Sequence, residues 1–174
     1  MGVLDEWRFC PRCGEAIEKR EGHAVCTACG FRAYAGSAPT ASALLLDDGG
    51  RVLLARRAVE PFLGRWDVPG GFLEEHEHPL DCLRRELREE TGLEIEPLAY
   101  AGTLVDWYGP KESGRSTLNL FWTARRVSGD PVPDDDVAEL RWFAPDELPP
   151  DEEIAFSMTR ERLLGLLLGA ACGA

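Results

Sequence analysis

The sequence contains no apolar run long enough to cross a membrane. Its greasiest stretch, Leu163 to Cys172, supplies about half of the ~20 residues that a bilayer requires. Met1 to Arg8 carries acids and no apolar run, so no secretory leader is expected there. Lipid anchors find no support either. Residue 6 is Glu where a myristoylation signal has Ser or Thr, and Cys172 stands third from the end, one place too late for prenylation. A cytoplasmic protein is the expectation. Positive charge is also scarce, with 19 basic against 31 acidic side chains and a net charge of −12. Such a surface repels nucleic-acid backbone and anionic membrane, which disfavours nucleic acid as a partner. It repels phosphorylated small molecules too, unless arginines or a bound cation supply positive charge locally. The chain shows no internal repeat and no low-complexity tract.

Cysteine, by contrast, is patterned. Of six cysteines in 174 residues, four form two Cys-x-x-Cys pairs, Cys10/Cys13 and Cys26/Cys29, each followed by Gly. Without a secretion signal this arrangement favours metal binding over cross-linking. Zinc takes four soft ligands in a tetrahedron, and each pair offers two thiolates from one tight turn. A redox dithiol needs only one such pair, normally beside a βαβ pattern that is absent here. With four protein ligands the zinc would be structural, replacing the core that so short a segment cannot build. Residues 1–36 are therefore read as a zinc ribbon and residues 37–174 as a second domain.

Between residues 37 and 147, apolar runs alternate with Gly, Pro and Asp breaks. Thr40–Leu46 and Arg51–Ala55 read as strands joined by Asp47-Asp48-Gly49-Gly50, a hairpin turn. Further strands are expected at 66–68, 98–107, 117–125 and 139–143, with a turn over 109–116. Pro79 suits the first turn of a helix running to Thr91, and Gly92 suits its end. A second helix is expected from about Ser157 to Leu168. Strands with two helices and no regular βαβ alternation imply an α+β fold, a mixed sheet packed between helices.

The helix over residues 80–91 carries the chemistry. At about 100° per residue, Leu80, Leu83 and Leu87 share an apolar face, while Glu86, Glu89 and Glu90 converge on an adjacent strip. Arg85 lies one turn before Glu89, within ion-pairing reach. A Glu-rich strip is ordinarily a solvated face. This one follows the loop Pro69-Gly70-Gly71, where backbone carbonyls are available. Hard divalent cations seek such oxygens, and magnesium completes its shell with water and substrate phosphate.

Residues 71–93 resemble the Nudix signature, Gly-x5-Glu-x7-Arg-Glu-U-x-Glu-Glu-x-Gly-U with U a bulky aliphatic. Gly71, Glu77, Arg85, Glu86, Leu87, Glu89, Glu90, Gly92 and Leu93 match it without a gap. The resemblance covers roughly residues 38–165. It implies an α/β/α sandwich that hydrolyses a nucleoside diphosphate linked to another group, with ADP-ribose or a related dinucleotide such as FAD or NADH favoured. Clearance of modified nucleoside triphosphates is the alternative, and a non-catalytic nucleotide sensor a third reading. It also implies that Glu86, Glu89 and Glu90 hold Mg2+ or Mn2+, joined by the Gly70 carbonyl. Arg85 would fix Glu89 or Glu77 by ion pairing, and Glu77 would support the loop rather than touch metal. Glu86, Glu89 and Asp136 are the candidate general bases, Asp136 from the run Asp134-Asp135-Asp136, with Glu139 also considered. Relatives are often homodimers, and a homodimer is a possible state here.

Substrate contacts are assigned more loosely. Arg51, Arg56, Arg57 and Arg65 approach the acidic helix, and Arg suits bidentate phosphate contact. Trp107 and Tyr108 end a strand near the expected cleft, where either could stack on a base. Glu75-His76 stands where many relatives carry Pro-Gly, so His76 and His78 are candidates for extra metal or phosphate contacts, with exposed loop residues the expectation. NADH-cleaving relatives carry a Ser-Gln-Pro-Trp-Pro-Phe-Pro run soon after the signature. This chain has Glu94–Tyr100 there, which weighs against NADH.

Overall fold

The strand Ala38–Leu46 is apolar on both faces, which places it at the centre of the architecture. Leu44 joins one apolar cluster, whereas Ala43 and Leu45 join another. Side chains alternate along a strand, so the two clusters lie on opposite faces of one sheet. The structure is a computed structural model that describes residues 4–110 and 114–171, with backbone alone for 169–171. Its elements are β1 (Glu18–Arg20), β2 (His23–Val25), β3 (Arg32–Tyr34), β4 (Ala38–Leu46), β5 (Val52–Arg57), β6 (Trp66–Asp67), β7 (Gly70–Phe72), α1 (Pro79–Thr91), β8 (Glu94–Tyr108), β9 (Arg115–Ser128), β10 (Val137–Phe143) and α2 (Arg160–Ala171).

Strands β10-β5-β4-β9-β8 run side by side in that order, with β6 added to β5 and β7 to β4. The β4–β9 pair is parallel and the remaining pairs are antiparallel, so the sheet is mixed, as expected. Leu83 and Leu87 of α1 are fully buried with Ala43, Leu45 and Leu53. Leu163 of α2 packs on the other face with Leu44, Leu54 and Phe143. The result is the α/β/α sandwich. Each fully buried leucine contributes roughly 2 kcal/mol.

The segment before the sandwich forms a small three-stranded sheet, β1-β2-β3. Its two knuckles repeat one backbone scheme. Gly14 N donates to Cys10 O and Gly30 N to Cys26 O, both at 2.9 Å, while Cys10 N and Cys26 N reach Glu15 O and Phe31 O.

Several boundaries differ from expectation for physical reasons. β8 begins at Glu94, not Leu98, because irregularities at 94/95, 97/99 and 100/102 break its alternation. The Pro69-Gly70-Gly71 break contains the start of β7, which pairs Thr40, Ala41 and Ser42 of β4 with Phe72, Gly71 and Gly70. α2 begins at Arg160, not Ser157. Asp106 Oδ2 accepts the Ser157 amide at 2.7 Å, and Phe156 adopts left-handed backbone with φ 57°. Residues 111–113 of the expected turn, and Cys172 with the end of the second domain, lie outside the described residues. No helix among the described residues is long and apolar enough to cross a membrane.

Candidate active site

The acidic helix is held by Pro79 and Gly92, the features that predicted its ends, and by a histidine cap that the sequence did not announce. His78 Nδ1 accepts the Leu80 amide at 3.2 Å, Pro79 fills the first turn, and Gly92 closes the helix with φ 69°. His78 is thereby a capping residue, and His76 sits in the preceding loop with its side chain beside Glu75. Beyond the helix, residues 132–136 fold back over its C-terminal end. Val132 N donates to Thr91 O and Asp134 N to Glu90 O, and Asp136 comes to line a small cavity with Asp67, Gly70 and Glu90. Asp134 and Asp135 stay exposed. Glu139 turns elsewhere, to Arg141 at 2.5 Å and Arg56 at 3.5 Å.

Arg85 organises the carboxylates. It donates to both oxygens of Glu77 at 2.9 Å, to Glu86 at 2.8 Å, to Glu89 at 3.1 Å and to the Phe72 carbonyl at 3.1 Å. Glu77 also accepts the Glu74 amide at 2.9 Å, so it ties the loop to the helix. Its hydrogen bonds from Arg85 hold its pKa down at about 2. Glu90 behaves in the opposite way. It is only 8% exposed and accepts the Gly70 amide at 2.9 Å. Burial, and then the charge of Asp136, push its pKa well above the carboxylate range. Burial raises Glu86 as well, against the pull of Arg85. Glu89 is half exposed.

The glycine turn is shaped to admit these acids. A Cβ on Gly70, whose φ is 142°, would lie 2.2 Å from the Ala41 carbonyl oxygen. A Cβ on Gly71 would lie within 2.5 Å of the Glu86 carboxylate. Any other residue at either position would displace the strand or the acid.

A set of buried carboxylates raised by burial and by one another's charge is one whose ionised form calls for a cation. The donors are hard oxygens beside a backbone turn, which suits magnesium or manganese. In donor chemistry the residues suit the ion. Glu86, Glu89 and Glu90 do not converge on a single point, because Arg85 holds the first two while the Gly70 amide holds the third.

The four ribbon thiols do converge, with all sulfurs within 4.8 Å of one another. Cys10 and Cys29 sulfurs lie 3.7 Å apart, and those of Cys13 and Cys26 3.6 Å. Tetrahedral zinc with bonds of about 2.3 Å places sulfurs roughly 3.8 Å apart, whereas a disulfide needs about 2.05 Å. Burial opposes ionisation of Cys10, yet the backbone amides of Arg12 and Cys13 bring its thiol down to about 7. Cys13, despite the Glu15 amide, is pushed up to about 12 by the neighbouring thiols and by burial. A cation among the four sulfurs would offset that effect of the neighbouring thiols.

Beside the acidic helix opens a cavity of about 580 Å3, its mouth included. Arg57 lines it; Arg56, Arg65 and Trp107 do not. Arg56 extends over Trp66 and Arg65 over Phe62. Alternation along β8 directs Leu104, Asp106 and Tyr108 to the cavity, so Trp107 faces away and donates its indole N–H to Pro110 O at 3.1 Å. Sequence reasoning missed Asp67, Asp106, Phe72 and Phe156. Asp67 is half-buried beside Arg57, 3.4 Å away, and burial pushes its pKa up to about 6 against the pull of that arginine. The one hint was its place in Trp66-Asp67-Val68, an acid inside an apolar strand.

The chain matches the NUDIX domain over residues 36–161. It belongs to the Nudix family. A NAD-capped RNA hydrolase NudC of Pseudomonas aeruginosa is 36% identical over 148 residues, which is 82% of this chain and 50% of that protein. The chain thus spans about half the length of the curated relatives it matches. Among solved structures, a Nudix hydrolase from Nitrosomonas europaea aligns with TM-score 0.76 and 24% identity, covering 96% of this chain and 94% of its own. A MutT Nudix hydrolase from Burkholderia pseudomallei aligns with TM-score 0.65 and 26% identity, covering 75% and 98%.

Proposed function

We propose that this Nudix protein hydrolyses the pyrophosphate linkage of a nucleoside diphosphate derivative in the presence of Mg2+ or Mn2+, releasing a nucleoside monophosphate. The observation that carries this reading is the acidic pocket in which buried Glu90, pressed on Gly70, meets Asp136 beside the Glu86–Arg85 pair. Glu86, Glu89 and Glu90, with the Gly70 carbonyl, are the residues that would hold the ion. When bound, a divalent ion neutralises diphosphate oxygens and lowers the pKa of a water. The chain's own groups do the rest. Of the candidate proton acceptors, Asp136 lines that pocket, Glu86 is paired with Arg85 and Glu89 is more exposed. Arg85 keeps Glu86 and Glu89 oriented, a positioning role, and Glu77 in turn steadies Arg85. The four cysteines would hold structural zinc.

For the substrate, ADP-ribose or a related dinucleotide is our leading reading. It rests on the Glu94–Tyr100 stretch, which replaces the run of NADH-cleaving relatives. A second reading is RNA with an NAD cap, favoured by what the Pseudomonas relatives are named for and opposed by the net charge of −12. The test is a 31P NMR assay of ADP-ribose, FAD, NADH and an NAD-capped oligoribonucleotide, with and without added magnesium. Monophosphate released only with the metal is the expected result, fastest from ADP-ribose. Failure to cleave any of the four at any magnesium concentration would overturn the proposal.

A further inference from the structure

An anionic substrate approaching a chain of net charge −12 needs positive charge at the mouth of the site. The arginines expected to supply it are engaged elsewhere. Arg56 pairs with Glu139 at 3.5 Å and Arg57 with Asp67 at 3.4 Å, while Arg65 lies over the Phe62 ring, off the cavity. Arg115 is different. It is exposed, and its one side-chain contact among the described residues is with the Phe72 ring, with no hydrogen bond or ion pair. Glu60 is the one acid among the described residues lining the open groove beside it, and the two are not paired.

The phase of β9 aims Arg115 at the mouth of the cavity. That strand gives the cavity Thr117, Asn119 and Phe121, and side chains two apart share a face, so Arg115 is the next in their line. Tyr108, which also lines the cavity, stands opposite Arg115 across the β8–β9 pair. The guanidinium carbon lies 5.8 Å from the centre of the Phe72 ring. Phe72 directly follows the Gly70-Gly71 turn, and its carbonyl accepts from Arg85 at 3.1 Å. One residue thus touches the acidic helix through its backbone and Arg115 through its ring. A guanidinium laid on a ring keeps its N–H edge free, a planar fork that matches two oxygens of a phosphate.

The ends of the turn that delivers Arg115 are closely built. Gly114 N donates to Pro110 O at 2.6 Å, and the Trp107 indole donates to the same oxygen at 3.1 Å. A Cβ on Gly114 would lie 2.5 Å from Trp107 Nε1. Trp107, which faces away from the cavity, therefore fixes where β9 starts and with it the position of Arg115.

We infer that Arg115 is a specificity-determining residue that pairs with a phosphate of the substrate where the diphosphate passes the Phe72 side of the cavity mouth. Trp107 is its positioning residue. The inference rests on the hydrolase reading for the identity of the anion. It gives the acidic helix a cationic counterpart on β9, drawn from a segment that the sequence pattern did not single out.

The test measures binding without turnover. The full chain is titrated calorimetrically, with magnesium present, with methylene-bridged analogues of ADP-ribose and UDP-glucose that cannot be cleaved, and with adenosine and uridine as uncharged controls. Arg115→Gln should weaken the tighter analogue about tenfold and leave nucleoside binding and the melting temperature as they are. The affinity of the variant should also respond less to salt than that of the parent, because one charge pair is gone. In turnover, the loss should fall on KM and not on kcat. A variant that binds the analogue within threefold of the parent, a variant that loses nucleoside binding to the same degree, or a parent that binds neither analogue would overturn the inference. Analogue binding that depends on Arg115, in a chain that cleaves no anhydride, would instead sink the hydrolase reading and leave this one standing.

Discussion

The ribbon and the sandwich solve the same problem by opposite means. Around β4 the chain buries leucines on both faces of a sheet, and apolar burial makes the fold. The ribbon's strands are three residues each, and β1 is exposed throughout. Besides the β1-β2-β3 ladder and a few buried side chains (Leu4, Ala24 and Val25), it has four sulfurs within 4.8 Å of one another and a repeated pair of backbone bonds. Among the described residues the sandwich buries one acid beyond nine-tenths, Glu90, against Gly70. A region with so little core is one whose fold a bound ion would stabilise. A region with a core can hold buried acids ready for one.

Zinc withdrawal separates the two regions most sharply. Structural zinc binding is worth on the order of 10 kcal/mol in small modules. Stripping it should collapse the amide resonances of the ribbon to random-coil positions, while those of β4 and α1 stay put. Persistence of the folded ribbon spectrum without zinc would end the comparison. Next in size comes Glu90→Gln. Turnover should fall by about 10^3-fold, equivalent to ~4 kcal/mol, yet the melting temperature should hold or rise because a buried charge is removed. Activity within tenfold of the parent would contradict the role given to Glu90.

Leu87→Ala attacks the core instead. It should cost about 2–5 kcal/mol in urea unfolding of the sandwich and leave zinc affinity unchanged. A loss confined to the ribbon would reverse the assignment. The smallest effect belongs to Glu77→Gln, about 2 kcal/mol for its charge-assisted bonds to Arg85. Its pKa is about 2 folded against 4.5 as the reference. Its contribution is therefore complete above pH 4.5 and disappears as pH falls through that value toward 2. The difference in stability between parent and variant should narrow over that window; a gap independent of pH would argue against the ion pair.

Much of this was readable in the chain because it depends on local spacing. Helix α1 announces itself through Pro79, Gly92 and the leucine period, and the two knuckles through Cys-x-x-Cys. The hairpin turn at Asp47 is held by amides of Gly49 and Arg51 on its carboxylate. The cavity was not readable, because it depends on long-range placement. Phe72, Asp106 and Phe156 come from three separate segments, and nothing in the spacing of any one reveals that they meet. Trp107 and Tyr108 were equal candidates until the phase of β8 was known, and bulges blur that phase. Among four arginines near the helix, only burial distinguishes Arg57.

The most direct test of the central claim is a calorimetric magnesium titration of the zinc-loaded chain beside its Glu90→Gln variant. The account predicts that the parent binds the ion and that the variant binds it at least tenfold more weakly with its fold intact. Identical isotherms from the two proteins would contradict it.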